Sequence, residues 1–248
     1  MKQDGGKRVV DQYPCSTQKN SNSIKRHGYL EHLEGLNSIQ PLYVPKYTDM
    51  GFEKIKLSDE VFDKIKNTWN SEFEWPLSDE FKEIELDVIH NINNKIKTKS
   101  YLIANHVLNS YLHDNLKHIL EDWSGEELQL TSVYGVRVYP DGSMLKRHVD
   151  KYQTHIISAI INVDQKVNEP WPLQIYDDYG ILHEVFLEPG EMCMYESARV
   201  VHGREKPLNG DYFANIFIHC KPIFWDEFEL SIWEKDMRKK VKKNEKKA

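Results

Sequence analysis

From Gly125 onward the chain is a succession of short apolar runs, each closed by turn chemistry. The runs read "LQLTSVYGVRVY", "HIISAIINV", "LQIYD", "ILHEVFLEPG", "EMCMYES" and "YFANIFIHC". They are rich in β-branched and aromatic residues, and Pro140-Asp141-Gly142, Glu188-Pro189-Gly190 and Asn209-Gly210-Asp211 punctuate them. Many short strands at even spacing leave few ways to bury one face of each, so a sandwich or a barrel is expected.

Ahead of Gly125 the period is helical. Ser58 is placed to cap a helix whose first turn holds Asp59 and Glu60 and whose apolar face is Val61, Phe62, Ile65 and Trp69. A second helix carries Val107, Leu108, Tyr111, Leu112, Asn115, Ile119 and Trp123 mainly on one stripe, with Gly125 placed to end it. Residues 78–98 fit neither period. The polar, Lys-, Asn- and Ser-rich start cannot offset its ordering entropy, so residues 1–45 are expected to be a loose arm. The predicted organisation is then a helical region over 46–125, the β core over 126–224, and a C-terminal helix with a basic, solvated tail over 225–248.

Charge and cysteine usage narrow the function classes. A net charge of -6 offers no broad basic surface, so nucleic acid is not an expected partner. Cys15, Cys193 and Cys220 show no CxxC pairing, which argues against a disulfide scaffold. The start lacks an apolar signal core, and no run approaches the roughly 20 apolar residues of a spanning helix. No membrane association and a reducing, cytoplasmic setting are expected.

The stretch "KRHVDKYQTHIISAII" sets His148 and Asp150 at the head of a long apolar run. Residues two apart on a strand share a face, so both would project into one interior, where polar groups persist only if paired or bound to metal. With 11 histidines an HxD arises by chance about once in a chain of this size, so the setting has to decide. His202, in "ARVVHGREKPLNG" at the end of a late strand-like run, supplies a third ligand. Two imidazoles and one carboxylate leave adjacent positions open on a metal, the arrangement of non-haem Fe(II) oxygenases; zinc is the rival metal. His106, His113, His118, His155, His183 and His219 lack such a pattern and read as helix-face or packed histidines.

"YGVRVYPDGSMLKRHVDK", followed by "LEPGEMCMYESARVVHGREKPLNGDYFANIFIH", resembles the Fe(II)- and 2-oxoglutarate-dependent dioxygenases, and within them the prolyl 4-hydroxylase-like branch. The likeness covers about residues 130 to 222 and rests on Tyr139 nine residues before His148, the HxD and the distal His202 followed by a turn. It implies a mainly β fold with packed helices, a double-stranded β-helix or jelly-roll, cupin-like barrel. It also implies Fe(II) on His148, Asp150 and His202, 2-oxoglutarate as cosubstrate, and ascorbate as an accessory.

The family commonly places a Lys or Arg about ten residues after the distal histidine to anchor the far carboxylate of 2-oxoglutarate, and here that position is Tyr212, followed by Phe213. A substitute cation is needed. Arg204, two residues after His202, is the first candidate and Arg137, two before Tyr139, the second, since a guanidinium suits bidentate carboxylate capture. Tyr139 belongs to the same carboxylate site by the resemblance. Trp171 is a candidate for a substrate wall or a packing anchor, one of Glu196 and Ser197 would face the cavity, and Cys193 and Cys220 read as small buried hydrophobes.

The resemblance implies a hydroxylase acting on a peptidyl proline or similar residue while 2-oxoglutarate is decarboxylated to succinate. A small-molecule or free amino-acid hydroxylase would keep the same ligands and differ only at the rim. A non-catalytic barrel that has lost 2-oxoglutarate is the reading from another class, and Tyr212 is its best argument.

Overall fold

The β-rich runs after Gly125 pair into two antiparallel sheets that face each other. The computed structural model describes residues 35–73, 83–84 and 100–225, with single residues and pairs between 235 and 246. Its strands are β1 (Phe52–Lys56), β2 (Glu83–Ile84), β3 (Ser100–Ile103), β4 (Leu128–Pro140), β5 (Leu145–His148), β6 (Ile157–Val167), β7 (Leu173–Tyr176), β8 (Leu182–Val185), β9 (Glu191–Tyr195), β10 (His202–Arg204) and β11 (Gly210–Pro222). A seven-stranded sheet has the order β1-β9-β6-β11-β4-β3-β2, and a four-stranded sheet the order β5-β10-β7-β8. This is the expected jelly-roll barrel, mainly β with helices packed on one sheet.

Two helices cover the outer face of the larger sheet. In α1 (Asp59–Glu72) the Ser58 hydroxyl accepts from the Val61 amide, and Val61, Ile65 and Trp69 are buried. In α2 (His106–Ser124) Asn105 caps the start, and Gly125, at φ 71, provides the left-handed residue that ends it. Its buried stripe is Leu108, Leu112, Leu116 and Leu120, four side chains each worth roughly 1.5–3 kcal/mol when removed from water. Val107, expected on that stripe, is exposed. Strict alternation serves both faces of the sheet: Ile157, Ala159 and Ile161 join the core under the helices, while Ile160 joins a second core between the sheets with Leu173, Ile175 and Val185.

Two expectations about organisation are corrected. The region read as purely helical also supplies β1, which pairs with β9, and β3, which pairs with β4, so it extends the sheet as well as covering it. Residues 35–45 are not loose. Residues 35–39 are helical, a 3-10 turn follows at Gln40–Leu42, and Leu36, Ile39 and Val44 are buried against the barrel. The rest of the predicted arm lies outside the described residues. So does most of the ambiguous 78–98 stretch, apart from Glu83–Ile84 beside β3. Described pairs in the tail, 235–236, 239–240 and 242–243, are helical. No described helix is long and apolar enough to cross a membrane.

Candidate active site

The smaller sheet brings the three predicted ligands together. β5 and β10 run antiparallel with His202 directly opposite His148, and their rings lie 4.5 Å apart between centroids. Gly203 permits this approach, because a Cβ there would stand 2.8 Å from the Arg147 backbone and the Leu145 carbonyl oxygen. Asp150 follows β5 by two residues, its amide donating to the Ser197 carbonyl at 2.7 Å. One ligand atom from each of His148, Asp150 and His202 falls within 4.8 Å of the others, and all three residues are buried.

The second nitrogen of each ligand histidine is already committed. His148 Nδ1 meets the Lys146 carbonyl at 2.7 Å, and His202 Nδ1 meets the Val200 carbonyl at 2.9 Å. A carbonyl can only accept, so both Nδ1 atoms carry the proton and both Nε2 atoms offer lone pairs. Asp150 Oδ1 has no hydrogen-bond partner, and its 3.5 Å separation from His148 Nε2 is too long to provide one. Burial opposes ionisation of Asp150, but the surrounding histidines hold its carboxyl well below the usual carboxylate range. Burial pushes His202 down to about 4, so it is neutral and ligand-ready near pH 7. A buried carboxylate oxygen without a donor, beside two neutral imidazole nitrogens, is a donor set that fits a divalent transition metal.

Arg204 shares the inward face of β10 with His202 and is buried. Its Nη1 donates to the Trp171 carbonyl, its guanidinium lies 4.5 Å from the Trp171 and Phe213 ring centroids, and Nη2 has no partner. Burial lowers it to about 10, which leaves it cationic at neutral pH. Tyr139 packs edge-on against Trp171 at 5.4 Å and joins this wall. Tyr195, which the sequence reading missed, meets the His202 ring at 4.7 Å, and burial keeps its phenol neutral.

Tyr212 is a correction. Its hydroxyl donates to Asp164 at 2.9 Å, beside Trp69 of α1, on the helix-covered side of the sheet. The β6–β11 register shifts between Gly210 and Tyr212, and it is Phe213 that faces the interior against Arg204. Trp171 is anchored, its Nε1 donating to the Lys206 carbonyl at 2.7 Å and its ring supporting Arg204, and it also lines a cavity with Phe213 and Leu187. Glu196 accepts from Tyr47 and Thr48 and holds the segment before β1, whereas Ser197 faces inward and bonds Ser158 at 2.5 Å. Cys193 and Cys220 are buried thiols, each pushed up to about 12.

Two histidines read as packed, and a glutamine from the expected arm, also lie near the ligands. His219 Nδ1 stands 3.9 Å from Asp150 and 2.7 Å from the Ser158 hydroxyl, and its ring stacks on His155 at 3.8 Å. Gln40 donates to the backbone carbonyls of Asp150, at 2.6 Å, and Ala198, at 2.7 Å, so it clamps the loop that carries the carboxylate ligand. His106, His113 and His118 lie on α2, and His183 pairs with Asp177 at 2.8 Å.

No family model and no curated protein sequence matches the chain. Solved structures do. A 2OG-Fe(II) oxygenase family oxidoreductase from Burkholderia pseudomallei superposes with a TM-score of 0.52 at 9% identity, over 69% of this chain and 85% of that one. HygX from Streptomyces hygroscopicus, with nickel, 2-oxoglutarate and hygromycin B bound, gives 0.50 at 14% identity over 75% and 88%. The fold is that of the 2-oxoglutarate–Fe(II) oxygenases. A Pseudomonas putida prolyl-4-hydroxylase also matches, with a TM-score of 0.48 at 14% identity over 75% of this chain and 98% of that one.

Proposed function

We propose that the protein is an Fe(II)- and 2-oxoglutarate-dependent dioxygenase that hydroxylates its substrate. The observation that carries this reading is the buried His148, Asp150 and His202 set, with both Nδ1 atoms tied to carbonyls and one Asp150 oxygen lacking a donor. With Fe(II), 2-oxoglutarate and dioxygen bound, the chemistry available is hydroxylation of a C–H bond: one oxygen atom enters substrate, the other enters succinate, and carbon dioxide leaves.

The chain's own groups supply orientation and charge. His148 and His202 present Nε2 in fixed directions because their rings cannot turn without breaking the Nδ1 bonds. Asp150, ionised, supplies the anionic ligand. Arg204 Nη2, in a pocket walled by Trp171, Phe213 and Tyr139, would hold the far carboxylate of 2-oxoglutarate, where low polarity would strengthen the ion pair. An inward cation beside the ligands removes the main argument for a barrel without 2-oxoglutarate, since the Tyr212 position is not needed as anchor. Iron and 2-oxoglutarate would serve a peptidyl proline or similar residue and a small molecule equally well.

The test is succinate formation from 2-oxoglutarate by Fe(II)-loaded protein in air without added substrate. Iron-dependent turnover that disappears in His202→Ala is expected. Absence of turnover together with absence of 2-oxoglutarate binding by calorimetry would overturn the reading.

A further inference from the structure

Among the described residues two arginines, Arg137 and Arg204, are buried, and in the dioxygenase reading 2-oxoglutarate would account for one. In that reading Arg204 would hold the cosubstrate's far carboxylate, leaving its other end for the metal site. Arg137, on β4, is also buried, yet its Nε has no hydrogen-bond partner and no carboxylate pairs with it among the described residues. Its guanidinium lies 5.5 Å from the Phe217 ring centroid and 6.0 Å from that of Tyr134. Directly across the β4–β11 ladder is Asn215, fully buried, with neither its side-chain oxygen nor its nitrogen bonded among the described residues. Buried polar groups are normally satisfied, and a cation with an amide left open beside it is a costly arrangement unless something enters to complete it.

Their place in the barrel says what enters. Along β11, Phe213 packs against Arg204 and His219 stands 3.9 Å from Asp150, so Asn215 lies between the cosubstrate anchor and the metal ligands. From Arg137 the path to the metal is short: Tyr134 meets the His219 ring at 5.5 Å, and His219 faces Asp150. The Arg137 charge itself bears on His219. A planar guanidinium next to an amide that can donate is suited to a carboxylate.

Resting on the dioxygenase reading above, we propose that Arg137 and Asn215 receive the carboxylate of an acidic small-molecule substrate and thereby hold its reacting carbon before the metal. A proline within a peptide brings no carboxylate of its own, so this pair favours an acidic small molecule over a peptidyl proline. Phe217 and Tyr134 keep the guanidinium in place, and Arg204 remains free for 2-oxoglutarate.

The experiment is calorimetry on Mn(II)-loaded protein. Titration with 2-oxoglutarate comes first, in wild type, Arg137→Met and Arg204→Met. The 2-oxoglutarate-saturated protein is then titrated with the free amino acids and with short aliphatic and aromatic monocarboxylic acids, each beside its carboxamide. Expected are at least one acid that binds wild type about tenfold or more tighter than its amide, loss of that preference in Arg137→Met and Asn215→Leu, and 2-oxoglutarate binding weakened only in Arg204→Met. Acids that bind no better than amides, or do not bind, would overturn the proposal, as would 2-oxoglutarate binding that depends on Arg137 and not on Arg204. Failure of wild type to bind 2-oxoglutarate would instead sink the dioxygenase reading; the acids and amides are then titrated into the Mn(II)-loaded protein alone, where an Arg137-dependent acid preference would still support the carboxylate site and its absence would overturn it. A second readout needs no ligand. Removing an unpaired buried group should raise the thermal midpoint of Arg137→Met by about 2–4 °C, whereas a fall would mark Arg137 as structural and overturn the assignment.

Discussion

His148 and His202 on the smaller sheet, His219 on the larger and His155 just before β6, are four buried imidazoles inside one barrel, held in different ways. The first two hand their Nδ1 protons to carbonyls of their own strand or loop and turn Nε2 toward Asp150. The second two stack on each other at 3.8 Å, and His219 directs Nδ1 at Ser158. Burial is common to all four, so burial does not make a ligand. The fixed point on the far side of the ring does, because it decides which nitrogen is a lone pair and where that lone pair points.

The largest effect should come from breaking the first pair. His148→Ala or Asp150→Ala is expected to weaken Mn(II) binding by at least roughly 100-fold with little change in thermal midpoint, whereas His219→Ala should cost about tenfold or less. Equal losses at His148 and His219, measured by calorimetry, would erase the distinction.

Acid stability should sharpen it. Burial holds His202 down to about 4 and His219 well below the ordinary 6.5, so the unfolded chain takes up protons that the folded one refuses. The unfolded state binds more protons in that window. Stability of the metal-free protein is therefore full above about 6.5 and falls as pH drops toward 4. Urea midpoints recorded from about pH 7 to about pH 4.5 should decline, and His219→Asn should flatten part of the decline while leaving the remainder to His202. An unchanged slope in the variant would remove His219 from the account.

The smallest effect concerns the loop between the pairs. Gln40→Ala leaves the buried carbonyls of Asp150 and Ala198 without a donor and is expected to cost about 1–3 kcal/mol in chemical denaturation, with a loss of only a few-fold in metal affinity. A stability unchanged from wild type would show that the loop does not depend on this clamp.

What the sequence disclosed follows the range over which each signal acts. His148 with Asp150, and His202 with Arg204, are pairs two residues apart on or beside short strands, and alternation alone places each pair on one face. Tyr212 failed by one residue, because a register shift after Gly210 turns Phe213 inward, and no local pattern announces a bulge. Gln40 reaches Asp150 across 110 residues from a stretch whose composition reads as unstructured. Its role is visible only once the chain has returned. His155 and His219 were read as packed, which describes their stacking but not their nearness to Asp150, a property of how the segment before β6 returns to β11 rather than of either neighbourhood.

Gly203 makes the spacing of the metal ligands a property of the backbone. Because His202 and His148 face each other across the line where Gly203 presses on Arg147, the width of the site is the distance between two strands with nothing between them. A single methyl group at position 203 would act as a shim, opening the gap without touching any ligand. Metal ions differ in the bond lengths they accept, so a side chain at position 203 would be expected to change which ion these three ligands hold best while leaving every ligand in place.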